Sequence, residues 1–136
     1  MMHGSLRHMP ILIEISPGEL IDKLTILEIK LDNISDPAKL SNVKREHDSL
    51  KTSYCRNITE TPEIARLAAD LKSVNSELWK LEDDIRCHER NSNFGETFVR
   101  LARSVYRTND RRAVIKRRIN DLLKSVIVEE KSYTDY

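Results

Sequence analysis

An apolar repeat at alternating steps of three and four residues, between Thr61 and Arg90, constrains this chain more than any other feature. The apolar positions are Ile64, Leu67, Leu71, Val74, Leu78, Leu81 and Ile85. This spacing is typical of the buried face of one long helix. Thr61 and Pro62 supply a capping hydroxyl and a first-turn proline. A helix from Pro62 to Arg90 would be about 44 Å long, so we expect other helices to pack along it.

Two further helices are predicted before this one. Ser16, Pro17 and Glu19 form a capping box with proline at the first helical position. The apolar positions that follow are Leu20, Leu24, Leu27, Leu31 and Ile34, widened by Ile21, Ile26 and Ile29. A face this wide indicates contact with two neighbouring helices. Asp36 and Pro37 repeat the cap signature, and the short loop places the second helix antiparallel to the first.

The C-terminal third has two interpretations. Asn93, with Glu96 three residues later, predicts a helix start, and the apolar positions Phe94, Phe98, Leu101 and Val105 follow. The same spacing then continues through Thr108 and Arg112 to Ile115, Ile119, Leu122 and Val126. Either Thr108 or Asn109 caps a new helix after a break, or one long helix carries two polar residues in its buried face. We favour the break, because Thr, Asn and Asp are better caps than helix-interior residues.

Together these segments predict an all-α fold, an antiparallel bundle of four to five helices around one long central helix. The β-branched runs 11–15 and 126–128 could pair as a short two-stranded clasp of the termini. Residues 1–8 carry no pattern and Met9 is a second plausible start, so we expect a disordered extension over 1–8. A single helical domain over 9–128 and a loosely ordered tail over 129–136 complete the prediction.

Composition narrows the class of protein. Of 136 residues 33% are charged and 5% aromatic, with a net charge of +1, which argues against a uniformly basic nucleic-acid coat. No apolar run could span a bilayer and the start lacks a signal-peptide core, so we expect a cytoplasmic protein without a membrane partner. Cys55 and Cys87 fall at opposite ends of a predicted helical hairpin. We expect free, buried or half-buried structural thiols, and no metal or cofactor.

The basic run from Arg100 to Arg118 is the candidate binding surface. It contains eight basic residues and one acid, Asp110. One interpretation is internal neutralisation by an acidic stripe of the long helix, formed by Asp70, Glu77 and Asp84. The other is recognition of an acidic protein surface or a small anionic ligand by the planar arginine fork. The candidate residues are Arg100, Arg103, Arg107, Asn109, Asp110, Arg111 and Arg112. Nucleic acid fits poorly, because no aromatic platform accompanies the basic residues.

Paired carboxylates in the first helix invite comparison with magnesium-binding helical pyrophosphohydrolases. Glu19 with Asp22, and Glu28 with Asp32, have the required helical spacing. Lys23 and the other lysine of this helix, Lys30, interleave with them, so we expect a solvated face that pairs with itself. His47, His88 and Trp79 fall on or beside apolar positions, where structural roles are expected.

Four strings carry a resemblance to a known family. They are SPGELIDKLTILEIKL (16–31), ELWKLEDDIR (77–86), FVRLARSVYRTNDRRAVIKRRIN (98–120) and the closing VEEKSY. Together they resemble an uncharacterised bacterial family of helical proteins of this length, for which no activity is assigned. The resemblance implies at most an accessory role beside sugar-transferring enzymes of surface-polysaccharide synthesis, and supplies no catalytic residues. A weaker likeness is to helical chorismate mutases, whose opening helix reads similarly to LIDKLTILEIK (20–30). The pocket of those enzymes uses arginines, whereas residues 16–31 of this chain contain none.

The sequence therefore predicts a helical binding or accessory module with a basic, arginine-rich face for an acidic partner or an anionic ligand. A glycosyltransferase is one candidate partner, and homo-oligomerisation is left open. The alternative is a small enzyme acting on a phosphorylated or carboxylated metabolite, with sugar-phosphate or chorismate-mutase-like chemistry. An enzyme needs a pocket of convergent polar groups, whereas a module could bury Thr108 and Arg112 against acids of the long helix.

Overall fold

The computed structural model describes residues 6–136, and this part of the chain contains four α-helices and no strand. The helices are α1 (Pro17–Asn33), α2 (Pro37–Asn57), α3 (Pro62–Arg90) and α4 (Glu96–Leu122). The prediction of an all-α fold is confirmed. None of the four is long and apolar enough to cross a membrane. Part of the expected 1–8 extension, residues 1–5, lies outside the described residues.

The first three helices begin where their cap residues predict. Ser16 Oγ accepts a hydrogen bond from the Glu19 amide at 3.1 Å, and Thr61 Oγ1 accepts one from the Ile64 amide at 3.2 Å. Asp36 caps α2 in the same way. Each side chain satisfies an amide that has no partner within its own helix.

The predicted start of α4 at Asn93 is wrong by a few residues. Ser92 has a left-handed backbone with φ of 53°, and the Asn93 amide donates to the His88 carbonyl at 2.8 Å. Asn93 therefore closes the C-terminus of α3, and α4 starts at Glu96 without a side-chain cap. Lys124 repeats this closure at the end of α4, where the Ser125 amide donates to the Asn120 carbonyl at 2.8 Å.

The shortest helix, α1, contacts all three others, whereas the longest, α3, contacts α1 and α4. Helices α1, α3 and α4 thus form a three-helix core, and α2 packs on α1. In the core cluster, Leu20, Ile21 and Leu24 of α1 pack against the N-terminal half of α3 and the C-terminal half of α4. The fully buried members from those two helices are Ile64, Leu71 and Ile119. The wide apolar face of α1 is explained, because it is shared among three neighbours.

The predicted two-stranded clasp does not form within residues 6–136. Residues 11–13 are exposed, and Val126 is 99% exposed. The two ends are joined by a side-chain hydrogen bond from the Ser16 hydroxyl to Glu129, not by a backbone ladder. An isolated two-stranded ribbon of this length is marginal in water.

Cys55 and Cys87 are free thiols, as expected, but both are exposed rather than buried. Each lies on a helix turn directed away from the core. Tyr54 takes the buried position next to Cys55, and its hydroxyl donates to Glu60 at 2.7 Å. Burial, together with this hydrogen bond, raises the pKa of Tyr54 to about 12.

Candidate functional site

The favoured break near Thr108 is wrong, because α4 runs without interruption from Glu96 to Leu122. The second interpretation, one long helix with two polar residues in its buried face, is correct. Thr108 is 5% exposed and Arg112 is half-buried. Three poor helix formers in a row cost about 2 kcal/mol relative to alanine. Interhelical contacts of Arg112 outweigh that cost.

Arg112 makes a two-pronged ion pair with Asp22 of α1. Its Nε donates to Asp22 Oδ1 at 2.9 Å, and its Nη2 contacts Asp22 Oδ2. Asp22 is 1% exposed, so this carboxylate depends on donors from the protein. The hydrogen bond to Asp22 raises the pKa of Arg112 above its ordinary value, although burial opposes the rise. The expected burial of Arg112 against acids of the long helix is not what occurs, since its partner lies on α1.

Helix α3 supplies another hydrogen-bond donor to Asp22, the side-chain amide of Asn75. Asn75 Nδ2 donates to Asp22 Oδ1 at 2.9 Å and lies 3.0 Å from Thr25 Oγ1. Both Asn75 and Thr25 are buried. One carboxylate therefore links the three core helices, because α1 supplies the acid and α3 and α4 supply the donors.

Lys116 forms a second group of ion pairs one turn further along α4. Its Nζ lies 2.6 Å from Glu19 Oε2, 3.3 Å from Glu129 Oε2 and 3.9 Å from Asp22 Oδ2. Burial lowers the pKa of Lys116, but the hydrogen bond to Glu19 and the nearby carboxylates outweigh it, so the pKa is raised. Glu129 also accepts a hydrogen bond from the Ser16 hydroxyl. The C-terminal segment is thereby attached to the start of α1.

The expectation of a solvated, self-paired carboxylate face on α1 is wrong for Asp22. Lys23 does lie 3.7 Å from Glu19, as that expectation required. Asp22 instead faces α4, and Glu28 pairs with Lys72 of α3 at 3.7 Å. Asp22 lies among apolar residues of α1 that pack into the core, so its side chain is buried. Lys23 is exposed to solvent and does not pair with it.

The predicted site residues separate into two groups. Arg111 and Arg112 are paired internally, with Glu77 at 3.0 Å and with Asp22. Asp110 accepts from Lys131 at 3.3 Å and from the Tyr136 hydroxyl at 2.6 Å. Asn109 Oδ1 lies 3.5 Å from Arg112 Nη1, at the limit of a hydrogen bond.

The other three arginines of that set make no ion pair within residues 6–136. Arg100, Arg103 and Arg107 are exposed on successive turns of α4. Arg100 lies 3.4 Å from the Thr97 hydroxyl, and the Arg107 guanidinium lies 5.9 Å from the Tyr136 ring. Of the predicted acidic stripe Asp70, Glu77 and Asp84, Glu77 alone pairs with an arginine of α4 among the described residues. We call Arg100, Arg103 and Arg107 the arginine face.

A cleft of about 590 Å³ lies between α4 and the C-terminal segment. Its basic lining residues are Arg112, Lys116, Arg117 and Lys131. Each of them already pairs with a carboxylate, since Arg117 lies 3.3 Å from Asp121 and Lys131 lies 3.3 Å from Asp110. Around Lys116 and Arg112 three acids face two bases. The cleft therefore offers an external anion no unmatched positive charge.

Sequence reasoning missed Asp22, Asn75 and Lys116 as interhelical polar contacts. A signal existed for Asp22, because Asp22, Thr25, Ile26 and Ile29 fall at positions i, i+3, i+4 and i+7 of α1. This spacing places Asp22 on the same face of α1 as Ile26 and Ile29, which predicts that its carboxylate faces the core. Lys116 carried no such signal, since its carboxylate partners come from α1 and from the C-terminal segment.

Over residues 6–136 the fold and these contacts define an all-α, four-helix arrangement whose core helices are joined by an ion pair to the buried Asp22 carboxylate. Within that class the chain belongs to a family of unknown function, DUF6165, whose model matches residues 11–136. The match confirms the resemblance to an uncharacterised family. Searches of curated proteins and of solved structures found no match to the chain.

Proposed function

We propose that the protein is a helical binding module that docks an acidic partner surface on the arginine face. The observation that carries the proposal is the contrast along α4. Arg111 and Arg112 have internal carboxylate partners, whereas Arg100, Arg103 and Arg107 have none within residues 6–136. Like charges at helical spacing repel one another, so an arginine row of this kind favours an external anion.

The spacing of the arginine face favours an extended acidic surface over a single small anion. From Arg100 to Arg107 the helix rises by about 10 Å. Arg103 and Arg107 are four residues apart, and their guanidinium groups can each take one carboxylate in a bidentate manner. A partner with several carboxylates along one helix or loop would satisfy all three arginines together.

The enzyme alternative has less support. The 590 Å³ cleft contains polar groups, but its basic residues are matched by carboxylates of the same chain. A phosphorylated or carboxylated substrate would have to displace Glu129 or Asp110 to enter. The resemblance noted above offers one candidate for the acidic partner, a sugar-transferring enzyme, and we include that link in the proposal.

The test is binding of a fluorescent deca-glutamate peptide at low salt, measured by anisotropy. The variant Arg100→Gln/Arg103→Gln/Arg107→Gln should lose at least about tenfold in affinity, because each charge-assisted contact contributes about 1 kcal/mol or more. The matched control is Arg45→Gln/Arg56→Gln/Arg66→Gln, which removes the same charge from exposed positions on α2 and α3. Equal losses in both variants would show that the peptide senses net charge alone, and the proposal would fail.

A further inference from the structure

The apolar seam between α3 and α4 continues beyond the three-helix core. Along α3, Ile64 and Leu71 are 0% exposed and Leu78 is 9% exposed, but Leu81 and Ile85 are only half-buried. The sequence spacing is unchanged over this whole length. The difference is that α1 packs mainly on the N-terminal half of α3, so the C-terminal half of α3 has less protein packed against it.

The N-terminal half of α4 shows the same loss of cover. Ile119 is 0% exposed, whereas Leu101 and Val105 are half-buried and Val99 is 51% exposed. At the tip, the rings of Phe94 and Phe98 pack edge to face with centroids 5.2 Å apart. We call residues 81–105 the distal hairpin.

A hairpin of two helices cannot bury all of its apolar residues by itself. Each helix can bury one side of its apolar stripe against the other, while the remaining side stays in contact with water. A cleft of about 440 Å³ opens at the base of the distal hairpin, where Ile26 and Ile29 of α1 face Leu78 and Trp79. Six of the ten residues that line this cleft are polar, so the uncovered apolar surface is that of the distal hairpin itself.

The charges of the distal hairpin select the partner. In α3, residues 81–90 contain four acids and two arginines, a net charge of −2 with His88 neutral. In α4, residues 96–105 contain two arginines and one acid, a net charge of +1. A partner of one sign would be attracted to one helix and repelled by the other. A second copy related by a two-fold axis can place α3 beside the partner's α4, so that opposite charges meet.

We propose that two copies of this chain associate through their distal hairpins and form an antiparallel four-helix bundle. The apolar residues of the two hairpins fill its interior, and the acidic edge of α3 meets the basic edge of the other copy's α4. This inference rests in part on the proposed function, because it names the acidic edge of a second copy's α3 as the partner of Arg100 and Arg103. Its independent ground is the uncovered apolar surface of the distal hairpin.

The test compares two valine substitutions on α4. Val99→Glu places a carboxylate in the proposed interface, whereas Val114→Glu is the matched control at a site with nearly the same exposure, 53%, outside the distal hairpin. Mass is measured by light scattering and sedimentation up to about 200 µM, a range that detects micromolar dimers. The wild type and Val114→Glu should have twice the 15.8 kDa mass of one chain.

Val99→Glu should raise the dimer dissociation constant at least about tenfold, because a charge in an apolar interface lacks a partner. Helical circular dichroism and melting temperature establish that the variant is folded. A wild type that stays monomeric throughout, or a Val99→Glu protein that dimerises like the wild type, overturns the proposal.

Salt supplies a second measurement on the wild type. If opposite charges meet across the interface, raising sodium chloride from about 0.05 to 0.5 M should weaken the dimer, because ions screen these pairs. A dimer that is insensitive to salt overturns the arrangement of α3 beside the partner's α4. The variant with glutamines in the arginine face should dimerise more weakly than the wild type, because Arg100 and Arg103 form the basic edge of α4. A wild type that stays monomeric, with peptide binding lost only in the arginine-face variant, overturns this inference and leaves the proposed function standing, whereas a dimeric wild type with equal peptide losses in both triple variants overturns the proposed function alone.

Discussion

Asp22 is the residue on which the most interhelical polar contacts converge. Its carboxylate is 1% exposed and accepts from Arg112 of α4 and Asn75 of α3, with Lys116 at 3.9 Å. A buried carboxylate is stable only while these donors remain in place. These contacts fix the positions of α1, α3 and α4 relative to one another.

Replacing Asp22 tests this role. Asp22→Ala should lower the free energy of unfolding by about 3 to 5 kcal/mol, because it leaves Arg112 and Asn75 without their acceptor in the interior. Urea unfolding followed by Trp79 fluorescence measures the loss. The control is Asp32→Ala, an exposed position near the end of α1, which should change stability by less than about 0.5 kcal/mol. A loss below about 1 kcal/mol for Asp22→Ala would show that water replaces the ion pair.

At the scale of elements, α1 approaches α4 so closely that one position must be glycine. A Cβ on Gly18 would lie 2.6 Å from the Lys116 carbonyl oxygen and 2.9 Å from Asn120 Oδ1. The Gly18 amide donates to that same Asn120 oxygen at 2.7 Å. The helix start of α1 is therefore fixed to the backbone of α4, and the ion pairs of Asp22 and Glu19 follow from this contact.

Gly18→Ala should destabilise the protein by about 1 to 3 kcal/mol, because α1 and α4 must separate to admit the methyl group. Thermal and urea unfolding measure the effect. The matched control is Gly95→Ala, since a Cβ at Gly95 has nothing within 4 Å and its φ of −78° suits alanine. Gly95 is the N-cap of α4, where alanine is less favourable, so this control should lose no more than about 0.5 to 1 kcal/mol. If the two variants had equal stability, the close approach of α1 and α4 would not exist in solution.

For the whole molecule, the C-terminal segment decides which surfaces of α4 remain open. Residues 126–136 contain no helix or strand, yet Lys131 and Tyr136 both contact Asp110. The Tyr106 and Tyr136 rings pack edge to face at 5.2 Å. Hydrogen bonding to Tyr136 holds the pKa of Asp110 below its ordinary value of 3.8.

Loss of the Asp110 charge should release the end of the chain and leave the helical core intact. Because the pKa of Asp110 is lowered, its contacts are fully present above pH 3.8 and are lost as the pH falls through that lowered pKa. Asp110→Asn should accelerate removal of Tyr136 by carboxypeptidase at neutral pH by at least about threefold, with a melting temperature within a few degrees of wild type. Asp70→Asn is the control, since Asp70 is exposed on α3 and does not line the cleft beside this segment. Equal trimming of all three proteins would contradict the attachment.

The sequence by itself determined the helices, since caps and apolar spacing are local properties of the chain. Ser16, Asp36 and Thr61 marked three helix starts, and Leu78 was placed correctly in the buried face of α3. It could not decide whether α4 breaks at Thr108, because local propensity favours a cap there, while the reason for continuity is the ion pair of Arg112 with Asp22, 90 residues earlier in the chain.

Only the tertiary structure decided which charges are matched and which helix is central. Arg111 and Arg103 look alike in the sequence, yet Arg111 pairs with Glu77 and Arg103 has no carboxylate partner in residues 6–136. The sequence predicted the longest helix at the centre, but α1 contacts all three others because its apolar face is the widest. Pairing of charges depends on distances between segments remote in sequence, and the alternation of apolar residues carries no information about those distances.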